Sequence, residues 1–413
     1  MNKLKQITAA VVLSLTGLAV TPAIAAPKCP IDDRQNKAVG ERVGKKVGKA
    51  YKAYQESKLD EAIAIMLELN PRNDFDKAFV DRMLGNFYAE KGKMSSALKY
   101  LKKAVDADNL GGADHAQTLR LYSDLLIQEK KYKEAIDSYY KWMDFTCKTE
   151  AVVFKRIGIA HSELSQWDKV LQVADKGLSL VDKPDKGLYQ MKLTAYFNKK
   201  QFKNAVKVLE TMVPLFQDDK RLWVQLAQFY LMTENYPKSL ATYDLAYKNG
   251  FLETAGNITR LAQLLSQKGS HYKAAKIFEK HMKEGLIESN KKSYKSLAGF
   301  YHNAKELKEA AEYYGLAAAI DEDASLYLKQ GRILALDRQF KRAIPVFEKA
   351  LSLGIKNPGE AQFELALAHL SLKQYKSAYK RATQASKDKK TARSAKSYIS
   401  YIKEKARIHN VTL

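Results

Sequence analysis

The sequence predicts an all-α protein, a solenoid of about ten helix-turn-helix repeats closed by a C-terminal capping helix. Apolar residues recur at helical spacing, and Trp223, Leu226 and Tyr230 fall on one helical face. The 413 residues are 46% hydrophobic and 28% charged, which excludes a disordered chain. A period of about 35 residues is marked by a recurring residue, usually alanine, at Ala62, Ala97, Ala135, Val170, Ala205, Ser239, Ala274, Ala310, Ala343 and Ala378.

One unit is clearest between Trp223 and Ala246, in the sequence WVQLAQFYLMTENYPKSLATYDLA. Its residues match positions 4, 7, 8, 11, 20, 24 and 27 of the tetratricopeptide repeat (TPR), the family that the chain resembles. In this repeat, small residues at positions 8 and 20 let two antiparallel helices approach closely, and large residues fill the space between neighbouring pairs. The resemblance implies a TPR superhelical solenoid over residues 43–386. An apolar stripe within residues 387–413 predicts the capping helix and tail.

The first 25 residues have the three parts of a secretory signal peptide. Lys3 and Lys5 precede an apolar run over residues 7–20, and Ala23-Ile24-Ala25 forms an A-x-A cleavage site. The run is shorter than the roughly 20 residues that cross a bilayer, although an uncleaved anchor is the alternative. We expect cleavage after Ala25, a mature protein in the periplasm with no transmembrane span, and an N-terminal leader over residues 26–42.

The chain has two cysteines, Cys29 in the leader and Cys147 in the third repeat. An oxidising compartment would allow one intramolecular disulfide between them. The leader is long enough to reach the third repeat when extended. Two free thiols, or thiols that pair between molecules, are the alternative. The spacing fits neither a zinc site nor a CxxC redox motif.

Three glycines, Gly40, Gly44 and Gly48, recur every four residues at the start of the array. Glycine costs about 1 kcal/mol relative to alanine inside a helix, so the stripe indicates that the helix is pressed closely against something. One interpretation is packing on the first repeat. The other is a docking face for a helix of a partner.

The protein is strongly basic. Lys and Arg number 70 against 46 Asp and Glu, a formal charge of +24; removal of Lys3 and Lys5 leaves 24 − 2 = +22. Such a surface suits nucleic acid, anionic lipid or an acidic protein, or is simply a solvated lysine-rich surface. Because the basic residues are spread along every repeat and the signal peptide directs export, we expect no nucleic-acid partner.

No pattern of catalytic residues is evident. The seven histidines form no HExxH or other metal-ligand spacing, and the sequence contains no P-loop, no GxSxG and no dinucleotide fingerprint after a strand. We therefore expect no catalysis, cofactor, metal site or small-molecule substrate.

A TPR array binds through the concave face that its first helices line. Arg82 and Asn86 resemble the first half of the carboxylate clamp of chaperone-binding TPR domains, but Leu121 and Val152 replace the polar second half, so we do not expect that clamp. A basic, amide-rich face suits an extended peptide with acidic side chains, and the alternative is ordinary solvated helix surface. The candidate groove residues are Arg82, Asn86, Arg120, Lys155, Gln190, Gln228, Gln263, Lys295 and Arg332.

A narrower resemblance is carried by three stretches, YYKWMDFTCK, RLWVQLAQFYLMTENYPKSLATYDLAYKNGFLE and KKTARSAKSYISYIKEKA. They are similar to exported TPR proteins encoded beside TonB–ExbB–ExbD systems. The resemblance implies a non-enzymatic periplasmic scaffold for TonB-dependent uptake of iron, siderophore or haem, with TonB, ExbB-type or ExbD-type subunits as partners. One rival is a cell-envelope assembly factor that binds outer-membrane, export or peptidoglycan-linked proteins. Another is an enzyme subunit whose array recruits the substrate.

Overall fold

The computed structural model describes residues 28–413, and the predicted signal peptide lies outside the described residues. Within them the chain forms twenty-one α-helices and no β-strand. The chain divides between Ala195 and Tyr196 into two compact units. None of the described helices combines the length and the apolar composition that crossing a bilayer requires.

The first unit begins with a short 3-10 helix at Pro30–Asp33 and continues with paired α-helices. Helix α9 starts in this unit and ends three residues beyond the division. The helices are α1 (Glu41–Gln55), α2 (Leu59–Leu67), α3 (Asp74–Glu90), α4 (Met94–Asp106), α5 (Gly112–Gln128), α6 (Tyr132–Thr146), α7 (Ala151–Glu163), α8 (Trp167–Leu178) and α9 (Lys186–Asn198).

The second unit continues the same alternation and ends with an unpaired helix. Odd-numbered helices from α1 to α19 are the first helices of ten pairs, and even-numbered helices are the second. The remaining helices are α10 (Phe202–Leu215), α11 (Lys220–Met232), α12 (Tyr236–Lys248), α13 (Ala255–Gln267), α14 (His271–Lys283), α15 (Lys291–Asn303), α16 (Leu307–Ala319), α17 (Ala324–Leu336), α18 (Phe340–Ser352), α19 (Pro358–Ser371), α20 (Tyr375–Ala385) and α21 (Ala392–Ile408).

The recurring residue found in the sequence is the fourth residue of every second helix, and it is fully buried in all ten. A short side chain there lets the second helix lie close to the first. Ser239 is tolerated because its hydroxyl donates a hydrogen bond to the Ala227 carbonyl oxygen on the first helix, 2.8 Å away. The predicted solenoid of helix-turn-helix repeats is confirmed.

Glycine at position 8 makes room for a large residue at position 24. A Cβ atom on Gly85 would lie 2.6 Å from a methyl carbon of Leu101, and one on Gly331 would overlap the Phe347 ring. Leu101 and Phe347 are fully buried. Close packing of the two helices in these repeats therefore depends on the missing side chain.

The glycine stripe of α1 does not have the packing role predicted for it. Apart from the adjoining backbone of the helix itself, no described atom lies within 4 Å of the position that a Cβ would occupy on Gly44 or Gly48. Only Gly40 is closely approached, by the Asp76 carboxylate, which also accepts a hydrogen bond from the Gly40 N–H at 3.1 Å. Packing on the first repeat therefore explains one of the three glycines.

Helix α21 covers the apolar end of the last repeat. Ala395 and Ile402 are fully buried, and Ile402 packs in a cluster with Ala366, Ala378 and Ala382 of α19 and α20. Since a solenoid leaves its last repeat without a neighbour, this helix removes from water the surface that a further repeat would cover.

Candidate partner-binding surface

The nine candidate groove residues all lie on first helices, whose exposed surface in each unit we call the first-helix face. Their side chains range from half-buried to exposed. Arg82 and Asn86 lie on α3, Arg120 on α5, Lys155 on α7, Gln190 on α9, Gln228 on α11, Gln263 on α13, Lys295 on α15 and Arg332 on α17.

In the first unit the cations among these residues are paired with carboxylates of the next repeat. Arg82 contacts Asp114 at 3.0 Å, and Lys155 contacts Asp185 at 2.9 Å. Arg120 contacts Glu150 at 3.3 Å. Each acid lies at or just before the start of the next first helix, where its charge also favours the helix dipole. These pairs therefore join one repeat to the next.

The second unit repeats this arrangement. Arg332 contacts Glu360 at 3.0 Å and Glu364 at 2.7 Å. Lys291 contacts Asp323 at 2.7 Å, and Asp323 caps α17 by accepting from backbone N–H groups of the first turn. The hydrogen bond from Lys291 lowers the pKa of Asp323 against the opposing effect of burial. The charge pattern is therefore a property of the repeat rather than of a single site.

Because of these ion pairs, most of the predicted cations on the first-helix face are not free to bind a partner. The sequence predicts that the cations of this face bind acidic side chains of a partner. Carboxylates of the protein already neutralise four of them, namely Arg82, Arg120, Lys155 and Arg332. Lys295 differs, because it is exposed and makes no ion pair within residues 28–413. The face thus offers alternating charges, and Lys295 on α15 is an uncompensated cation within it.

The predicted amides are the more accessible donors and acceptors. Gln190, Gln228 and Gln263 are exposed. Gln263 accepts a hydrogen bond from Arg260 at 3.2 Å. An amide has both a donor and an acceptor, so each retains capacity for the backbone of an extended peptide.

A cavity of about 460 Å³ opens on the first-helix face of the first unit. Arg120, Leu121 and Trp142 line it, and the Arg120 guanidinium lies 4.9 Å from the centre of the Trp142 ring. Ile31 of the leader forms part of its wall. One predicted groove residue is therefore in a real cavity, which is completed by a segment outside the repeats.

The leader is fastened over α5 and α6. Cys29 and Cys147 form a disulfide, with their Cα atoms 5.8 Å apart, and no free cysteine remains in the described chain. Arg34 pairs with Asp108 and lies 4.9 Å from the centre of the Phe145 ring. The segment from residue 29 to residue 34 is thus held at both ends.

The Gly111-Gly112 pair lets the leader approach. A Cβ on Gly112 would lie 2.5 Å from the Ile31 carbonyl oxygen, and one on Gly111 would lie 2.6 Å from the Asn36 side chain. Beside this contact, His115 is buried against the Phe145 ring, 4.7 Å away between centroids. Burial, together with the positive charge of Arg34, lowers the pKa of His115.

A larger cavity, about 740 Å³, lies on the first-helix face of the second unit. Leu328, Ile333 and Leu336 supply its apolar lining, and Leu336 is 60% exposed. Arg332 and His302 are at its polar side. Burial, with the charges of Lys329 and Lys305, lowers the pKa of His302, which favours the neutral imidazole. This cavity can hold an apolar side chain beside hydrogen-bonding groups.

Sequence reasoning missed the acids that neutralise the face and the leader that walls the first cavity. The acids had a usable signal, because each lies about one repeat beyond its cation. For the leader, Cys29 was the one residue whose presence indicated a contact with the repeats. Among the described residues, no cluster of three or more histidine, cysteine or acidic side chains is arranged to hold a metal ion.

Comparison with known proteins agrees with the fold. Residues 82–144 and 328–389 match the family described as tetratricopeptide repeat. Solved structures that are similar to this chain include a TPR protein from Parabacteroides merdae (17% identity, 59% of this chain and 93% of that chain, TM-score 0.37), the MamA protein (15%, 42% and 91%, 0.36) and the TPR2AB domain of yeast Sti1 in complex with pHSP90 (18%, 62% and 98%, 0.33). A comparison with curated proteins found no match.

Proposed function

We propose that this protein is an exported, non-enzymatic scaffold that holds a protein partner on its first-helix face and serves a TonB-dependent outer-membrane transport system. The repeat architecture supports the scaffold role, because helix-pair solenoids expose long ordered surfaces that bind proteins. TonB, an ExbB-type subunit or an ExbD-type subunit is the proposed partner. That choice comes from the sequence resemblance.

The Cys29–Cys147 disulfide is the observation that carries the exported part of the proposal. Disulfides persist in the periplasm and are rare in the bacterial cytosol, where thiols are kept reduced. The bond also agrees with the signal-peptide pattern of residues 1–25. Intact mass spectrometry of the protein from cells, with thiols alkylated before lysis, should give the mass of residues 26–413 with no alkyl group added.

Photocrosslinking from the first-helix face is the experiment that identifies the partner. A photoreactive residue at Gln228, exposed on α11, should capture a partner in iron-starved cells. The matched control carries the same residue at Lys207, exposed on the second helix α10. Lys295→Glu in the Gln228 background should lower the yield, because it reverses an uncompensated charge on the same face.

The identity of the captured protein decides between the hypotheses. TonB, an ExbB-type or ExbD-type subunit, or an iron receptor captured only from Gln228 would support the transport role. Capture of outer-membrane assembly or wall-linked proteins instead would assign the protein to envelope assembly. Equal capture from Gln228 and Lys207 would place the binding surface outside the first-helix face.

A further inference from the structure

Helix α21 exposes two different stripes beside its buried face. Residues three, four or seven apart share a face of a helix. Arg393, Lys396, Lys403 and Arg407 form one exposed stripe, which we call the basic stripe, and it is about 21 Å long. The second stripe, which we call the tyrosine stripe, contains Ser394, Tyr398, Tyr401, Lys405 and Ile408.

The positive charge of this region is largely uncompensated. Residues 387–407 contain eight Lys and Arg and two acids, a balance of 8 − 2 = +6. One of the acids, Glu404, pairs with Arg407 at 2.8 Å. The other, Asp388, accepts from the backbone N–H groups of Gly359 and Lys390. Unlike the paired arginines of the first-helix face, such as Arg82 and Arg332, most cations here have no carboxylate of the protein beside them.

The tyrosine stripe exposes apolar surface on the opposite flank of the exposed side of α21. Tyr401 is 51% exposed and Ile408 is 54% exposed. Tyr398 is fixed by an edge-on contact with Phe363, with ring centres 5.3 Å apart. The Lys405 ammonium lies 5.4 Å from the centre of the Tyr401 ring. Aromatic rings with a polar tip, interleaved with lysine, are typical of helices that lie at a membrane interface.

We propose that α21 binds an anionic membrane surface, with its basic stripe on lipid phosphates and its tyrosine stripe at the level of the headgroups. The shape of the site favours a membrane over a protein. Both stripes are on the convex surface of one helix, whereas recognition of a peptide uses a groove or a sheet edge. A bilayer surface adapts to a convex helix and supplies negative charge along its whole length.

The first measurement is co-sedimentation of the purified mature protein with vesicles of phosphatidylcholine, alone or mixed with phosphatidylglycerol. Binding should require phosphatidylglycerol and weaken as salt rises from about 0.05 M to 0.5 M, because surface charges are screened. A parallel titration with polyglutamate tests an acidic polypeptide as the ligand instead.

Three variants locate the contact. Arg393→Gln, Lys396→Gln and Lys403→Gln together should weaken binding to the mixed vesicles about 100-fold, since each basic residue near such a surface contributes about fivefold. The matched control, Lys131→Gln, Lys133→Gln and Lys141→Gln, removes three exposed charges from α6 and the residue before it and should leave binding within about twofold. Tyr401→Ala with Ile408→Ala should weaken binding about tenfold while its salt dependence remains.

Circular dichroism of each variant separates lost binding from lost folding. The proposal is overturned by absence of binding to mixed vesicles, by equal binding to neutral vesicles, or by equal losses in the two charge variants. Binding to polyglutamate but not to vesicles would also overturn it and would assign α21 to an acidic protein. None of these results depends on the partner of the first-helix face.

Discussion

A single backbone conformation recurs at the turn inside every helix pair. The residue two positions before each second helix has a positive φ, and only two of the ten are glycine. A side chain in this left-handed region costs about 1 kcal/mol because Cβ crowds the following carbonyl oxygen. The ten residues are Ser57, Gly92, Lys130, Ser165, Lys200, Glu234, Gly269, Lys305, Arg338 and Lys373.

Glycine at one of these turns should therefore stabilise the protein. Lys305→Gly relieves the crowding at φ 65° and should raise the free energy of unfolding by about 0.5 kcal/mol. Lys308→Gly, an exposed position three residues later inside α16, should lower it by about 1 kcal/mol. Urea denaturation measures both, and changes of the same sign would contradict the explanation.

A buried carboxylate joins three helices of the second unit. Glu279 on α14 is 8% exposed and accepts hydrogen bonds at 2.7 Å from the hydroxyls of Tyr301 on α15 and Tyr313 on α16. Burial alone would raise the pKa of Glu279, but the hydrogen bonds from Lys283, the two tyrosines and Lys276 lower it to about 2.

Because of this low pKa, the free energy of unfolding depends on pH. A folded-state pKa below the unfolded value of 4.5 means that ionised Glu279 stabilises the fold above about pH 4.5, and the contribution is lost as the pH falls toward 2. Glu279→Gln should therefore cost about 2 kcal/mol at pH 7 and progressively less below pH 4. Urea denaturation at several pH values tests this, and a pH-independent cost would indicate a packing effect alone.

At the scale of the element, the leader is a strap held by one covalent bond and a few side chains. Arg34 is held by an ion pair and a ring contact, and its side chain is 21% exposed. Cys147→Ser should free the strap and speed trypsin cleavage after Arg34 at least about tenfold, because cleavage requires local opening. Val152→Ser, an exposed change on α7, is the control. Equal cleavage rates in both variants would mean that non-covalent contacts alone hold the strap.

The elements differ in how far the sequence predicts them. The ten helix pairs follow from buried residues such as Ala274 and Ala310, because a short residue in the second helix has one steric role that repeats. The prediction that Gly44 and Gly48 pack closely was wrong, because the sequence alone does not distinguish a packed glycine from one that faces open space. The leader contact depends on tertiary distances between residues such as Ile31 and Gly112, which no local pattern encodes.

The sequence predicted which cations lie on the candidate surface but not whether they are paired with acids. Position within the repeat places Arg120 and Arg332 on first helices, and both line cavities. Whether such a cation is free depends on an acid from the following repeat, as Glu150 shows for Arg120. A charge read in isolation therefore overstates its availability to a partner.

At the scale of the whole molecule, the array needs its last helix. A chain ended after Ser386 would lack α21 and expose the apolar cluster that contains Ala366, Ala378 and Ala382. We expect it to aggregate and to lose more helical signal than the deleted residues account for, because the last repeat would fray. A chain ended after Ile408 is the control. Light scattering and circular dichroism distinguish them, and a monomeric, fully helical truncation would contradict the capping role.

The disulfide also determines how tension passes through the chain. When the protein is pulled by its two ends, force crosses from Cys29 to Cys147 through the bond, so helices α1–α6 carry no load. The bypassed loop spans 118 residues and hides about 400 Å of extension, which a single-molecule trace should recover only after reduction. If the oxidised protein is held under tension by its two ends, the repeats after Cys147 should unfold first, and helices α1–α6 should stay folded.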